Sequence, residues 1–226
     1  MFKHSKEKPA YGIIGLGRFG TALALELADH DVDLIVLDRN EDKIREFREI
    51  TENALVIKSL DKKSLEETGI QNCDVAVVCI GEQLDTSILA TLHLVSMGIP
   101  LVLAKAKSSD HGEILKKMGA EVVYPERDMA IRLAGRLQTT KVLDFIQLSE
   151  KINISKLPAP PCLVGKSVLE VNFRRRFGQN IIALENNGQV LETLHPEYVF
   201  RQGDVLFVSG SREGLLQLTN WLEREQ

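Results

Sequence analysis

The 226-residue sequence predicts a doubly wound α/β fold with a small α+β module behind it. Three observations carry this. Short, nearly unbroken apolar runs alternate with helical stretches from Tyr11 to Gln138, and strands apolar on both faces belong to a parallel sheet covered on both sides. A GxGxxG run, Gly15 to Gly20, stands between the first strand and the first helix. The alternation then gives way to a hairpin signal and a terminal amphipathic helix, which marks a change of architecture near residue 140.

The elements follow in order. Tyr11–Leu16 is an apolar strand, and Phe19–Ala28 carries Phe19, Leu23 and Leu27 at helical spacing. Leu34–Leu37 is a strand ending at Asp38, and Glu41–Ile50 a charged amphipathic helix. Ala54–Ile57 is the third strand, and Lys62–Thr68 a helix stopped by Gly69. Asp74–Ile80 is a strand ending at Gly81, and Thr86–Met97 a helix closed by Gly98-Ile99-Pro100. Leu101–Ala106 is a strand, Gly112–Met118 a helix and Val122–Tyr124 the sixth strand, before Pro125 opens a helix to Gln138. In the second module Lys141–Leu148 and Ile152–Ile154 read as strands. The proline-rich run from Leu157 to Pro161 reads as a connector or sheet edge. Val168–Phe177 is one short helix. Ile181–Glu185 and Gln189–Leu194 flank Asn186-Asn187-Gly188, a hairpin turn. Val205–Ser209 is a strand and Arg212–Arg224 the last helix. The expected domains are residues 1–140 and 141–226.

Composition narrows the function. Hydrophobic residues at 44% and charged residues at 27% suit a folded chain and exclude disorder. A net charge of −4 and 5% aromatics argue against nucleic-acid binding. The whole deficit falls in residues 1–140, with 18 basic against 22 acidic side chains, so phosphate affinity there has to be local. The longest apolar runs, near Val75–Ile80 and Ile99–Ala104, are far short of the roughly 18 residues of a membrane helix. The opening MFKHSKEKPA lacks the apolar core of a signal peptide. Cys73, Cys79 and Cys162 form no CxxC pair and fit the reduced thiols of a cytoplasmic chain. A role at a membrane therefore needs a partner.

The glycine run carries the chemistry. Gly15 allows the tight turn, Gly17 lets the backbone approach a pyrophosphate, and Gly20 lets helix and strand pack closely. The helix start then offers N–H groups and a positive dipole end to phosphate. Asp38, 18 residues after Gly20, is placed to accept from ribose hydroxyls and to repel a 2′-phosphate. Together these predict a Rossmann-like nucleotide site. Arg18 sits where the fingerprint usually holds a small or apolar side chain. It is either a contact to a terminal phosphate or a solvated surface arginine. Lys105, at the end of the fifth strand, has the same two readings. None of the five histidines stands in an acid/base pattern, and there is no HExxH or P-loop. Nucleotide sensing therefore fits better than the alternatives, an NAD-dependent oxidoreductase or an NAD(H)-sensing regulator.

The ordered set of motifs resembles the cytoplasmic regulatory subunits of Trk/Ktr-type potassium uptake systems. In those a KTN (RCK-N) Rossmann domain precedes a small RCK-C (TrkA-C) domain. The resemblance runs over residues 9–224. It rests on Ile14 to Gly20, Asp38, Val77 to Gly81, Ala104-Lys105-Ala106, and Gly119-Ala120 followed by Tyr124 to Met129. In the second module it rests on Gly165-Lys166-Ser167, Arg174 with Phe177-Gly178, and Gly203 to Leu206. The resemblance implies a non-enzymatic subunit that binds ATP or ADP, and in some relatives NAD or NADH. The implied site is Gly15, Gly17, Arg18, Phe19, Gly20, Asp38 and Arg39. Ser59, Leu60, Cys79, Ile80 and Gly81 lie near the adenine, with Lys105 beside them. Arg18 would reach the ATP γ-phosphate, on its own nucleotide or on one in the neighbouring subunit. Glu126 matches an acid that faces the phosphates across a dimer and helps hold a cation, Mg or Na; a helix-start charge is its plainer reading. Some relatives bind cyclic di-AMP between two RCK-C modules. The matching positions are Asn172, Arg174 and Pro196, beside apolar Val168, Leu169 and Ile181, against a plainer reading of Asn172 as a helix cap and Arg174 to Arg176 as a solvated face. The implied partners are further copies, as dimers in a ring of eight, and a membrane-embedded potassium channel subunit on a separate chain. The implied location is the inner face of the cell membrane.

Overall fold

The computed structural model describes residues 8–137, 142–149 and 151–224. The opening residues through Glu7, the helix end at Gln138, the strand start at Lys141 and the expected boundary at 139–141 lie outside the described residues. The chain forms two compact units, Met1–Pro125 and Glu126–Gln226.

The first unit runs β1 (Ala10–Ile14), α1 (Arg18–Ala28), β2 (Asp33–Asp38), α2 (Glu41–Phe47), β3 (Ala54–Val56) and α3 (Lys62–Glu67). It continues with β4 (Val75–Val78), α4 (Leu84–Ser96), β5 (Leu101–Lys105), α5 (Ser109–Lys117) and β6 (Glu121–Val123). The six strands are parallel, in the order β3-β2-β1-β4-β5-β6. Neighbouring residues alternate between two cores. Ile14, Leu37 and Val78 pack with Leu65 of α3, Ala90 and Leu94 of α4 and Leu115 of α5. Ile13, Val36 and Val77 pack with Ala24 of α1 and Ile44 and Phe47 of α2. Each fully buried Leu or Ile contributes about 1.5–3 kcal/mol, so both layers are needed. This two-sided burial is why the strands read as unbroken apolar runs.

Local differences from the sequence expectation have local causes. The α2 helix stops at Phe47 instead of Ile50: the Arg48 amide is shared between the Ile44 and Arg45 carbonyls and the Ile50 amide bonds three residues back to Phe47, so the last turn tightens out of α-helical geometry. The α4 helix starts at Leu84, two residues before Thr86. A 3-10 turn, Ile70–Asn72, follows Gly69 and buries Ile70 against Gly12, where an added Cβ would lie 2.6 Å from the Ile70 side chain.

The second unit holds α6 (Pro125–Leu137), β7 (Asp144–Gln147), β8 (Asn153–Pro158), α7 (Val168–Val171) and α8 (Phe173–Phe177). It closes with β9 (Gln179–Asn186), β10 (Gln189–Leu191), β11 (Val205–Gly210) and α9 (Arg212–Arg224). Its sheet is antiparallel, ordered β10-β9-β11-β8-β7. Leu157, Leu184, Leu206 and Val208 meet Phe173, Phe177, Phe200, Leu215, Leu218 and Leu222 in one core. The sequence groups α6 with the first domain. Its contacts place it here, with Gly135 against the Phe145 ring and Arg132 bidentate on Asp144 at 3.0 and 2.6 Å. The prolines do not interrupt β8. Leu157 and Pro158 still pair with β11, and Pro158 lies past the end of β7, where no partner needs its missing N–H. The expected single helix Val168–Phe177 is two, divided at Asn172, whose φ of 50° no α-helix continues. β10 ends at Leu191, short of Leu194, which turns into the core. Asp204 closes the turn before β11. It accepts from the Tyr198 hydroxyl at 3.0 Å, the Arg201 amide at 2.8 Å and the Asn186 side chain. Among the described residues no helix is long and apolar enough to cross a membrane.

Candidate functional site

In the first unit β1 and β4 are neighbours, yet α1 leaves to one face of the sheet and α4 to the other. Such a reversal opens a crevice at the carboxyl ends of the strands. The glycine loop lies there. Gly15 has φ 97°, open only to glycine without strain, and an added Cβ on Gly20 would sit 2.0 Å from the Gly15 oxygen. Gly17 differs: its φ is −74° and a Cβ there would meet nothing within 4 Å. It borders open space.

The helix starts separate into two kinds. The first turns of α2, α3, α5 and α7 are capped by the side chains of Asn40, Asp61, Ser108 and Ser167. Those of α1 and α4, at Gly17 and Gln83, have no side-chain cap. Uncapped N–H groups and the positive dipole ends thus flank the strand-order reversal, where an anion is best received.

Asp38 is 8% exposed. The Leu16 N–H donates to its Oδ2 at 2.5 Å and the Asn40 N–H to its Oδ1 at 2.7 Å. The acid expected to hold a ribose therefore also anchors the glycine loop. A carboxylate has about four acceptor positions, so capacity remains for hydroxyl donors. Lys43 of α2 donates its Nζ to the Leu16 carbonyl at 2.7 Å. Sequence reasoning missed Lys43, since one lysine in a charged helix looks like any solvated cation.

The other expected residues lie at or after the same strand ends. Arg18 and Arg39 are exposed. Phe19 is half-buried, with Lys105 Nζ 5.9 Å from its ring centroid. Lys105 also borders Gly81, 3.6 Å from where a Cβ would be. A Cβ added on Gly15 would lie 3.1 Å from the Ile80 side chain. Cys79 is buried, and burial pushes its thiol up to about 12 against the opposing charge of Lys105, so it is an unreactive wall. Ser59, expected near the adenine, donates its hydroxyl to Asp61 at 2.5 Å; with the Ser64 donors this pulls the acid down to about 2. Leu60 is half-buried against the core.

In the second unit Val168, Leu169, Asn172, Arg174, Ile181 and Pro196 line one cavity of about 300 Å³, joined by Phe173, Gln179, Asn180 and Leu194. Asn172 ends α7, and its side chain accepts the Arg175 N–H at 3.3 Å to start α8. The tight corner aims Arg174 into the cavity wall while Arg176 lies over the Trp221 ring at 4.6 Å, so the basic run is not uniformly solvated. A second cavity of about 420 Å³ lies between α6 and the start of β7, lined by Arg132, Leu133, Arg136, Asp144 and Lys156 among others. Glu126 is exposed in the first turn of α6, beside Asp128. Among the described residues no three His, Cys, Asp or Glu side chains converge, so a cation at Glu126 needs oxygen ligands from elsewhere.

Comparison with known proteins agrees with this architecture. Residues 11–125 match the TrkA-N domain and residues 154–223 the TrkA-C domain. The chain is 36% identical over 205 residues to Ktr system potassium uptake protein C of Bacillus subtilis (strain 168), covering 90% of this chain and 93% of that protein. It is 31% identical over 211 residues to Ktr system potassium uptake protein A of the same organism, covering 93% and 95%. Among solved structures the GsuK RCK domain superposes with a TM-score of 0.64 at 21% identity, over 96% of this chain and 48% of that one. The chain thus spans about half of that neighbour, and the likeness is one of fold. With both domain matches in order, and two Ktr proteins above 30% identity over nearly full length, the chain belongs to the Trk/Ktr family of potassium uptake proteins.

Proposed function

We propose that this chain is the nucleotide-gated regulatory subunit of a potassium uptake system whose pore is a separate membrane protein. The carrying observation is the crevice: a glycine loop, two uncapped helix starts and Asp38 meeting at the strand-order reversal. Adenine nucleotides fit this chemistry. Ribose hydroxyls donate to the free positions of Asp38, phosphate oxygens accept from the α1 amides, and Arg39 and Leu60 border the base. NAD meets the same groups, and a structural neighbour, the GsuK channel, is described bound to NAD.

Gating needs a ligand that contacts two states differently. ATP and ADP differ by one phosphate. Arg18, exposed at the first turn of α1, is the side chain we assign to that phosphate, on its own nucleotide or a neighbour's. Glu126 of a paired copy would face these phosphates and help hold a cation. Copies paired in a ring then change shape with the nucleotide and pull on the membrane subunit at its cytoplasmic face. Calorimetry on the full chain with ADP, ATP and NAD tests the first step, together with identification of any co-purifying nucleotide. Arg18→Ala should keep ADP binding and remove the preference between ATP and ADP. An unchanged ATP effect on assembly in that variant would falsify the switch.

The cavity of the second unit supports a second input. Asn172, Arg174 and Pro196, which match the cyclic di-AMP readers, line one cavity with their apolar neighbours Val168, Leu169 and Ile181, a guanidinium for phosphate beside apolar side chains for a base. A two-fold ligand suits two copies of this face. Titration with cyclic di-AMP should give micromolar or tighter binding that Arg174→Ala weakens at least tenfold. No heat at high micromolar ligand ends this reading.

A further inference from the structure

Asp38 and Lys43 hold the same residue. Leu16 is the middle of Gly15-Leu16-Gly17, and its N–H and carbonyl belong to the two peptides that join it to those glycines, so side chains hold both. Its N–H donates to Asp38 at 2.5 Å, and its carbonyl accepts from Lys43 at 2.7 Å and, at a longer 3.3 Å, from the Thr21 hydroxyl. Gly15 and Gly17 have no side chains of their own to fix the loop. Lys43 is half-buried, and its turn of α2 is set by Ile44 and Phe47, both buried under the sheet, and by the Asn40 cap. The ammonium is therefore delivered from a rigid element.

We propose that Lys43 is a positioning residue for phosphate recognition. It clamps the glycine loop from the segment that carries the ribose acid, so that ribose and phosphate subsites form one pre-set unit. The inference rests on the nucleotide reading of the crevice. It adds that affinity for the phosphate part depends on a side chain whose hydrogen bond goes to a loop carbonyl and not to the ligand. Without Lys43 the Leu16–Gly17 peptide keeps only the longer Thr21 bond on its carbonyl; the ligand must then order that peptide, and the ordering weakens binding. The loss falls on ligands that reach the loop. Adenosine, which ends at the ribose, is spared.

The experiment compares ADP and adenosine on the full-length chain by calorimetry for wild type, Lys43→Met and Lys43→Arg. Lys43→Met should bind ADP about tenfold more weakly, the loss of one charge-assisted hydrogen bond, with adenosine unchanged. The ADP loss should persist at about 0.5 M salt, where long-range attraction between lysine and phosphate is screened. Lys43→Arg, which can still donate to a carbonyl, should recover most of it. In 15N-labelled protein the Leu16 and Gly17 amide signals should move or broaden in Lys43→Met without ligand, at a wild-type melting temperature. Equal losses for ADP and adenosine, a loss that vanishes in high salt, or unchanged Leu16 and Gly17 signals each overturn the clamp. Wild-type ADP binding with no change in Lys43→Met sinks the clamp alone. Absence of ADP, ATP and NAD binding in wild type sinks the nucleotide reading and the clamp together.

Discussion

Gly17 and Gly20 look interchangeable in the fingerprint, yet they answer to different forces. A Cβ on Gly20 collides with the Gly15 oxygen at 2.0 Å, so its absence is demanded by the fold. A Cβ on Gly17 meets nothing within 4 Å and its backbone is ordinary, so its absence is demanded by whatever enters the crevice. Gly17→Val should therefore melt within a few degrees of wild type while losing at least tenfold in ADP affinity, read by thermal shift and calorimetry. Loss of stability without loss of binding would reverse the assignment. The fingerprint and Asp38 were legible in the sequence because their spacing is fixed by strand and helix geometry. Lys43 was not, because its partner is a backbone carbonyl 27 residues away that no side-chain pattern announces. The second duty of Asp38, holding the Leu16 amide, was hidden for the same reason.

At the scale of elements, the start of α5 carries a pH dependence. His111 lies in the first turn and is buried at 3% exposure. Its Nδ1 accepts the Lys107 N–H at 3.3 Å, which requires the neutral ring, and burial lowers its pKa from the ordinary 6.5. The unfolded chain takes up a proton at about 6.5 where the folded chain does not. Stability thus rises with pH across the interval between the lowered value and 6.5, and falls as pH drops through it. Asp61, Asp144 and Glu170, all with lowered pKa, lose their contribution only at more acid pH. Denaturant melts between roughly pH 5 and 7 should show this slope, and His111→Phe should flatten it; an unchanged slope assigns it to another group. The hairpin at Asn186-Asn187-Gly188 was legible, since Asn187 and Gly188 both take positive φ. The break at Asn172 was not: the four residues before it and the five after it suit a helix, and the left-handed corner arises from packing Val171 and Phe173 into one core.

On the scale of the whole molecule, two units with different sheet types share one chain, and each was visible through its periodicity. Apolar runs covered on both faces marked the parallel sheet. Turn residues spaced between short strands marked the antiparallel one. The place of α6 escaped, because helical spacing says that a helix exists and not which core it joins; a glycine notch for Phe145 and one arginine on Asp144 decide it. One further feature bears on how many copies can crowd together. The outer strands of both sheets are short: β3, β6 and β10 have three residues each and β7 four. Beyond the end of β7, Pro158 offers no N–H. Exposed strand edges are where chains zip into aggregates, and edges this brief give an incoming strand too few rungs to hold. Copies of the chain would then find little purchase for backbone pairing at these edges.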